Sequence, residues 1–111
     1  MAGERERRIG ENEAIFRAAN ERMADWEERD RVEALELYFC ECADPTCTQK
    51  VRLRGSDYER VRSDPTHFIV APGHQVADVE TVLESHPDWV LVEKVEPDAR
   101  EVAEETDPRQ D

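Results

Sequence analysis

All three cysteines of this chain fall within eight consecutive residues, Cys40-Glu41-Cys42-Ala43-Asp44-Pro45-Thr46-Cys47. This C-x-C-x4-C cluster constrains the fold more than any other feature. On a strand, residues i and i+2 project to one side, so Cys40 and Cys42 aim two sulfurs at one point, and a turn through Asp44-Pro45 can return Cys47 to it. Three thiolates held together repel one another or oxidise, whereas a divalent zinc ion turns their convergence into folding free energy. Zinc is therefore the expected cofactor, in a structural site, because four protein ligands would leave no position for an activated water.

Tetrahedral zinc needs a fourth ligand, and the chain has no further cysteine. The candidates are His67, His74, His86, a carboxylate such as Glu41 or Asp44, and water. His74 is the expected fourth ligand. It follows the turn signal Pro72-Gly73, where a backbone reversal can carry an imidazole beside the cysteine loop.

The rest of the chain is sparing in core material. Of 111 residues, 38% are hydrophobic and 39% charged, with a net charge of −13. That supports one modest domain. No apolar run approaches the roughly 18 residues of a membrane span, and the charged N-terminus lacks the apolar stretch of a secretion signal. The expected compartment is the cytoplasm, where clustered cysteines indicate metal or reactive thiols rather than disulfides.

Periodicity predicts an α+β domain over residues 10–95, between a flexible N-terminus (1–9) and a disordered acidic tail (96–111). Ile9, Phe16, Ala19, Met23 and Trp26 share one helical stripe, which predicts a long helix from Gly10 to Arg31. The pairs Glu4–Arg8, Glu13–Arg17 and Glu27–Arg31 predict that its remaining circumference is solvated. From Leu35 the period becomes two, with Leu35, Leu37 and Phe39 on one face and Tyr38, Cys40 and Cys42 on the other. Lys50–Arg54 alternates again, so the two segments should form a hairpin whose loop holds the cysteines. Ser56-Asp57-Tyr58-Glu59 matches a capping box for a short helix to Arg62, stopped at Asp64-Pro65. His67–Ala71 reads as a strand. Val79, Val82, Leu83 and His86 read as a second short helix, and Trp89–Val95 as a central strand. The fold predicted is a small, mainly antiparallel sheet of about four strands with helices against it. Residues 96–111 carry seven acids, two bases and only Val102 as a large aliphatic side chain, too little to offset ordering entropy beyond a frayed turn at 99–105.

Lys50, Arg52, Arg54, Arg60 and Arg62 form a basic stripe that is a solvated face, docks the acidic tail or the carboxylates of the long helix, or meets an anionic patch on a partner. General nucleic-acid binding is not expected, since a pI near 4.6 repels phosphate over most of the surface. No Gly-rich phosphate loop, nucleophile elbow or H-E-x-x-H helix is present, and nothing specific points to an enzyme.

The cysteine spacing resembles the short zinc-binding segment that follows the catalytic domain of SET methyltransferases. The likeness covers eight residues and extends to ligand geometry alone. A wider resemblance, over residues 10–95, is to a group of small bacterial proteins that join such a cluster to segments like Tyr58-Glu59-Arg60-Val61-Arg62, Asp64-Pro65, Phe68-Ile69-Val70-Ala71-Pro72-Gly73-His74 and Val90-Leu91-Val92-Glu93-Lys94. It implies domain limits and no activity. The function expected is a zinc-stabilised, non-catalytic interaction or regulatory module, meeting a protein partner or a second copy through the long helix. The alternative is a thiol-based redox or metal sensor using the same cysteines; a weaker option is an enzyme whose three-cysteine site stays open to water.

Overall fold

The computed structural model describes residues 2–26 and 35–109. Helix α1 (Ala2–Trp26) is followed by strands β1 (Leu35–Phe39) and β2 (Lys50–Arg54), helix α2 (Gly55–Val61), strands β3 (His67–Val70), β4 (Glu80–Ser85) and β5 (Val90–Lys94), and helix α3 (Pro97–Glu105). The class is α+β, with two small antiparallel sheets. One is the ribbon β1-β2, and the other has the order β3-β5-β4. β5 is central, as its run of buried Val90, Leu91 and Val92 requires.

Helix α1 begins eight residues before the expected Gly10. Residues 2–9 contain no helix breaker other than Gly3, and Arg5 and Arg7 tie this segment to Asp78 and to Glu105. The expected last turn to Arg31, the Glu27–Arg31 pair and the side chains of Met23 and Trp26 lie outside the described residues. The buried face of α1 differs from the expectation more sharply. Gly10, Glu13, Arg17 and Asn20, at steps of 3, 4 and 3, point inward, while Phe16 and Ala19 are half-buried beside them. The Glu13–Arg17 pair is therefore interior. Lys94 ion-pairs with both Glu13 and Glu80 in full burial. Arg17 donates to Pro65 O (2.6 Å) and Ala103 O (2.8 Å), and its guanidinium lies 4.4 Å from the Phe68 ring. Opposite charges at i and i+4 can each be buried when more distant groups pair with them, so their spacing alone does not say where the helix turns its back to water.

Three further expectations change. Strand β4 (Glu80–Ser85) stands where a helix over residues 79–86 is expected. Val82 faces Val92 and Glu84 faces Leu91, leaving Leu83 as the extra residue of a bulge, and this irregularity gives Val82-Leu83 the adjacency of a helical stripe. The acidic segment after Glu96 is ordered as α3. Glu96 caps it through Ala99 N (2.9 Å), Pro97 opens it, and Ala99, Val102 and Ala103 are buried. Alanines supply the buried face that a count of large aliphatics overlooks. Gly10 makes the close approach possible, because a Cβ there would lie 3.0 Å from Val102 Cβ. Helix α2 buries Tyr58 and Val61 as expected but starts at Gly55 after Arg54, with no side-chain cap, so the Ser56–Glu59 capping box does not form.

Candidate metal centre

The strand β1 runs straight into the cysteine loop, and three backbone devices aim its sulfurs. Cys40 N donates to Gln49 O (3.2 Å), continuing the ribbon past Phe39. Glu41 N donates to Ile69 O (2.8 Å), which joins the ribbon to the other sheet. Asp44-Pro45-Thr46 then reverses the chain. The Asp44 carboxylate accepts from Thr46 N (2.9 Å) and Thr46 Oγ1 (2.7 Å), and Cys47 N donates to Asp44 O (3.1 Å). The same tripeptide recurs as Asp64-Pro65-Thr66 with the same three bonds at 2.9, 2.7 and 3.1 Å, there placing His67. An Asx turn followed by a returning N–H is what Asp-Pro-Thr prefers locally.

His74 arrives from the turn that follows β3. Ala71 N donates to Cys40 Sγ (3.1 Å), and Ala71 O accepts from His74 N (3.0 Å), so one residue at the end of β3 holds both a cysteine and the histidine turn. Gly73, at φ +89°, supplies the left-handed step that the turn needs. His74 Nδ1 ends 3.5 Å from Cys40 Sγ and 3.7 Å from Cys47 Sγ. The ligand atoms of Cys40, Cys42, Cys47 and His74 all lie within 4.8 Å of one another, close enough to hold one metal ion. Cys40 and Cys42 are buried, and Cys47 and His74 are half-exposed.

The thiols respond to this crowding in opposite senses. Hydrogen bonding with Cys40, and then with His74, draws the Cys42 thiol down to about 5. The Cys40 thiol is pushed up by the same bond to Cys42 and by burial, and burial is the main cause that raises Cys47. One ready thiolate beside two reluctant ones is a donor set that a cation would complete.

The other ligand candidates are engaged elsewhere. Glu41 is fully buried on the side of the strand facing α1, where its carboxylate accepts from Asn20 Nδ2 (2.8 Å) and Ile69 N (3.1 Å). Burial raises it to about 7 against those bonds. Asp44 serves its own turn. His67 Nε2 lies 3.0 Å from Glu93 and 3.5 Å from Asp64, in a separate cluster, and His86 stacks on Trp89 at 4.3 Å. Asn20 was not singled out by the sequence. Its amide pairs with both Phe39 N (2.7 Å) and Phe39 O (2.9 Å), acting as a strand neighbour one residue before Cys40. Its place at the end of the Gly10–Glu13–Arg17–Asn20 stripe was the available signal.

The basic stripe does not stay together. Lys50, Arg52 and Arg54 are exposed on the outward face of β2. Arg60 pairs with Glu84 at 2.6 Å and holds it down at about 2. Arg62 is buried between Glu21 (3.0 Å) and Asp107, a clamp from α2 to the long helix and to the end of α3. Among the described residues, no helix is long and apolar enough to cross a membrane. Comparison with protein-family models, with curated proteins and with solved structures finds no match to this chain.

Proposed function

We propose that this chain is a small zinc-stabilised interaction or regulatory module without catalytic activity, in which Cys40, Cys42, Cys47 and His74 are the zinc ligands. The convergence of these four side chains from two separate parts of the fold carries the reading. Sulfur at about 2.3 Å and nitrogen at about 2.1 Å from a tetrahedral zinc give a sulfur–nitrogen edge of about 3.6 Å. The two separations to His74 Nδ1, 3.5 and 3.7 Å, bracket that value. Zinc would lock the hairpin loop to the turn after β3, a structural duty suited to a chain with little apolar core. The acidic surface and the expected cytoplasmic setting fit a regulatory partner of other proteins.

The test is elemental analysis of purified protein beside Cys42→Ser and His74→Ala. One zinc per chain in the wild type and loss of tight binding in both variants is the expected result. A His74→Ala protein that holds zinc as tightly as wild type would remove His74 from the ligand set, and a metal-free wild type that folds normally would overturn the proposal.

The half-exposure of Cys47 and His74 favours one second reading, a redox sensor. Two thiolates would join in a disulfide and pass two electrons to hydrogen peroxide, which takes up two protons and leaves as two waters while zinc departs. Zinc release at low peroxide, reversed by a thiol reductant, distinguishes it.

A further inference from the structure

The outward face of the β1-β2 ribbon is built against the usual rule. The interior takes Tyr38, Val51 and Leu53, leaving Leu35 57% and Leu37 53% exposed. Register sets each apolar residue on this face opposite a cation: Leu35 faces Arg54, Leu37 faces Arg52 and Phe39 faces Lys50. Lys50 lies over the Phe39 ring at 4.6 Å, and among the described residues none of the three cations has an ion-pair partner. A shallow depression of about 210 Å³ opens between Leu37, Lys50, Arg52 and Asp88. The result is two parallel stripes, one apolar and one basic, about 4.8 Å apart, with a repeat of about 6.7 Å along each.

We propose that this face docks an acidic amphipathic helix of a partner protein, one whose apolar row is bordered by a row of carboxylates. The inference rests on the interaction-module reading but not on the identity of the metal. Charge excludes a self-complementary contact, because two such faces brought together would set cation against cation. It favours an acidic occupant, while the exposed leucines require that occupant to be apolar as well. Successive residues of one helical row rise about 6 Å, close to the ribbon's repeat, and adjoining helical rows face the same way. An extended peptide presents only one row on each face, so it cannot cover both stripes.

The probe is a labelled helical peptide with leucine at every fourth position and glutamate in the adjoining row, beside a scrambled peptide of the same composition. Fluorescence anisotropy should show binding of the patterned peptide that weakens at high salt. Arg52→Glu should weaken it by about tenfold or more while leaving zinc content and the far-ultraviolet spectrum unchanged. Leu37→Ser should weaken it as well. Equal binding of the scrambled peptide, equal or tighter binding of an oligothymidylate, or a dimer in sedimentation that Arg52→Glu dissolves would each overturn the proposal. Protein that purifies without metal and still binds the patterned peptide in an Arg52-dependent way would sustain this inference while refuting the zinc reading.

Discussion

Glu41, between the two strand cysteines, satisfies both backbone polar groups of Ile69: its N–H donates to Ile69 O at 2.8 Å, and its carboxylate accepts from Ile69 N at 3.1 Å. A single buried residue thus joins the ribbon to β3. Its neighbours Cys40 and Cys42 then necessarily face the end of β3 from which His74 turns back. The candidate metal centre is in this sense a consequence of how two sheets are stitched together.

Metal removal should loosen that seam. Chelation of zinc-loaded protein is expected to lower the thermal midpoint by about 10 °C or more, since losing only about 2–3 kcal/mol shifts a chain of this size that far. Calorimetry with and without chelator checks this, and superimposable curves would count against a structural metal.

Gly73 should matter through its backbone alone, since among the described residues a Cβ there meets nothing within 4 Å. Gly73→Ala places a side chain at φ +89°, at a cost of about 1–2 kcal/mol. Metal affinity should fall by about tenfold in competition titrations, less than for His74→Ala. An unchanged affinity would mean that the turn does not hold His74 in place.

Glu13 sets a pH dependence. Burial, opposed by Lys94, pushes its carboxyl up to about 8 from an ordinary 4.5. Between those values the folded state binds the proton more tightly than the unfolded state does. Its contribution is therefore fully present below about pH 4.5 and is lost as pH rises toward 8. Glu13→Gln should gain on the wild type across that window in urea unfolding, and a difference independent of pH would contradict the assignment.

Arg62 and Arg52 should behave oppositely although both belong to one basic run. Arg62→Ala leaves the Asp107 carboxylate without its cation and Glu21 with Arg109 alone (2.7 Å), and should cost about 3 kcal/mol. Arg52→Ala, on an exposed strand face, should stay within about 0.5 kcal/mol. Denaturant midpoints decide between them, and equal effects would refute the partition.

Helix α3 should contribute to global stability. Val102→Ala removes buried methyl groups packed on Gly10 and should cost about 2 kcal/mol. A mutation within a disordered tail would cost nothing, so an unchanged midpoint would detach α3 from the domain.

Local preference made much of this molecule legible in advance. The alternation 35–42, the Asp-Pro turn, Pro72-Gly73 and the alternation 50–54 act over a few residues, and they sufficed to bring three cysteines toward one point and to single out His74. Segments whose fate depends on distant partners were read less well. Val82-Leu83 has a helical adjacency because a bulge against β5 inserts Leu83. The tail reads as disordered until Gly10 offers Ala99, Val102 and Ala103 a surface.

The sequence by itself determined the elements that short-range forces control: the hairpin, the cysteine turn, the glycine reversal and the class of fold. Only the tertiary structure decided which side of each element is inside. It turned Glu13, Arg17 and Asn20 inward, where they meet Lys94, Pro65 O and Phe39, and left Leu35 and Leu37 in water. The physical reason is that a polar side chain can be buried when its hydrogen bonds and charges are met, and those partners come from parts of the chain too distant for any local pattern to reveal.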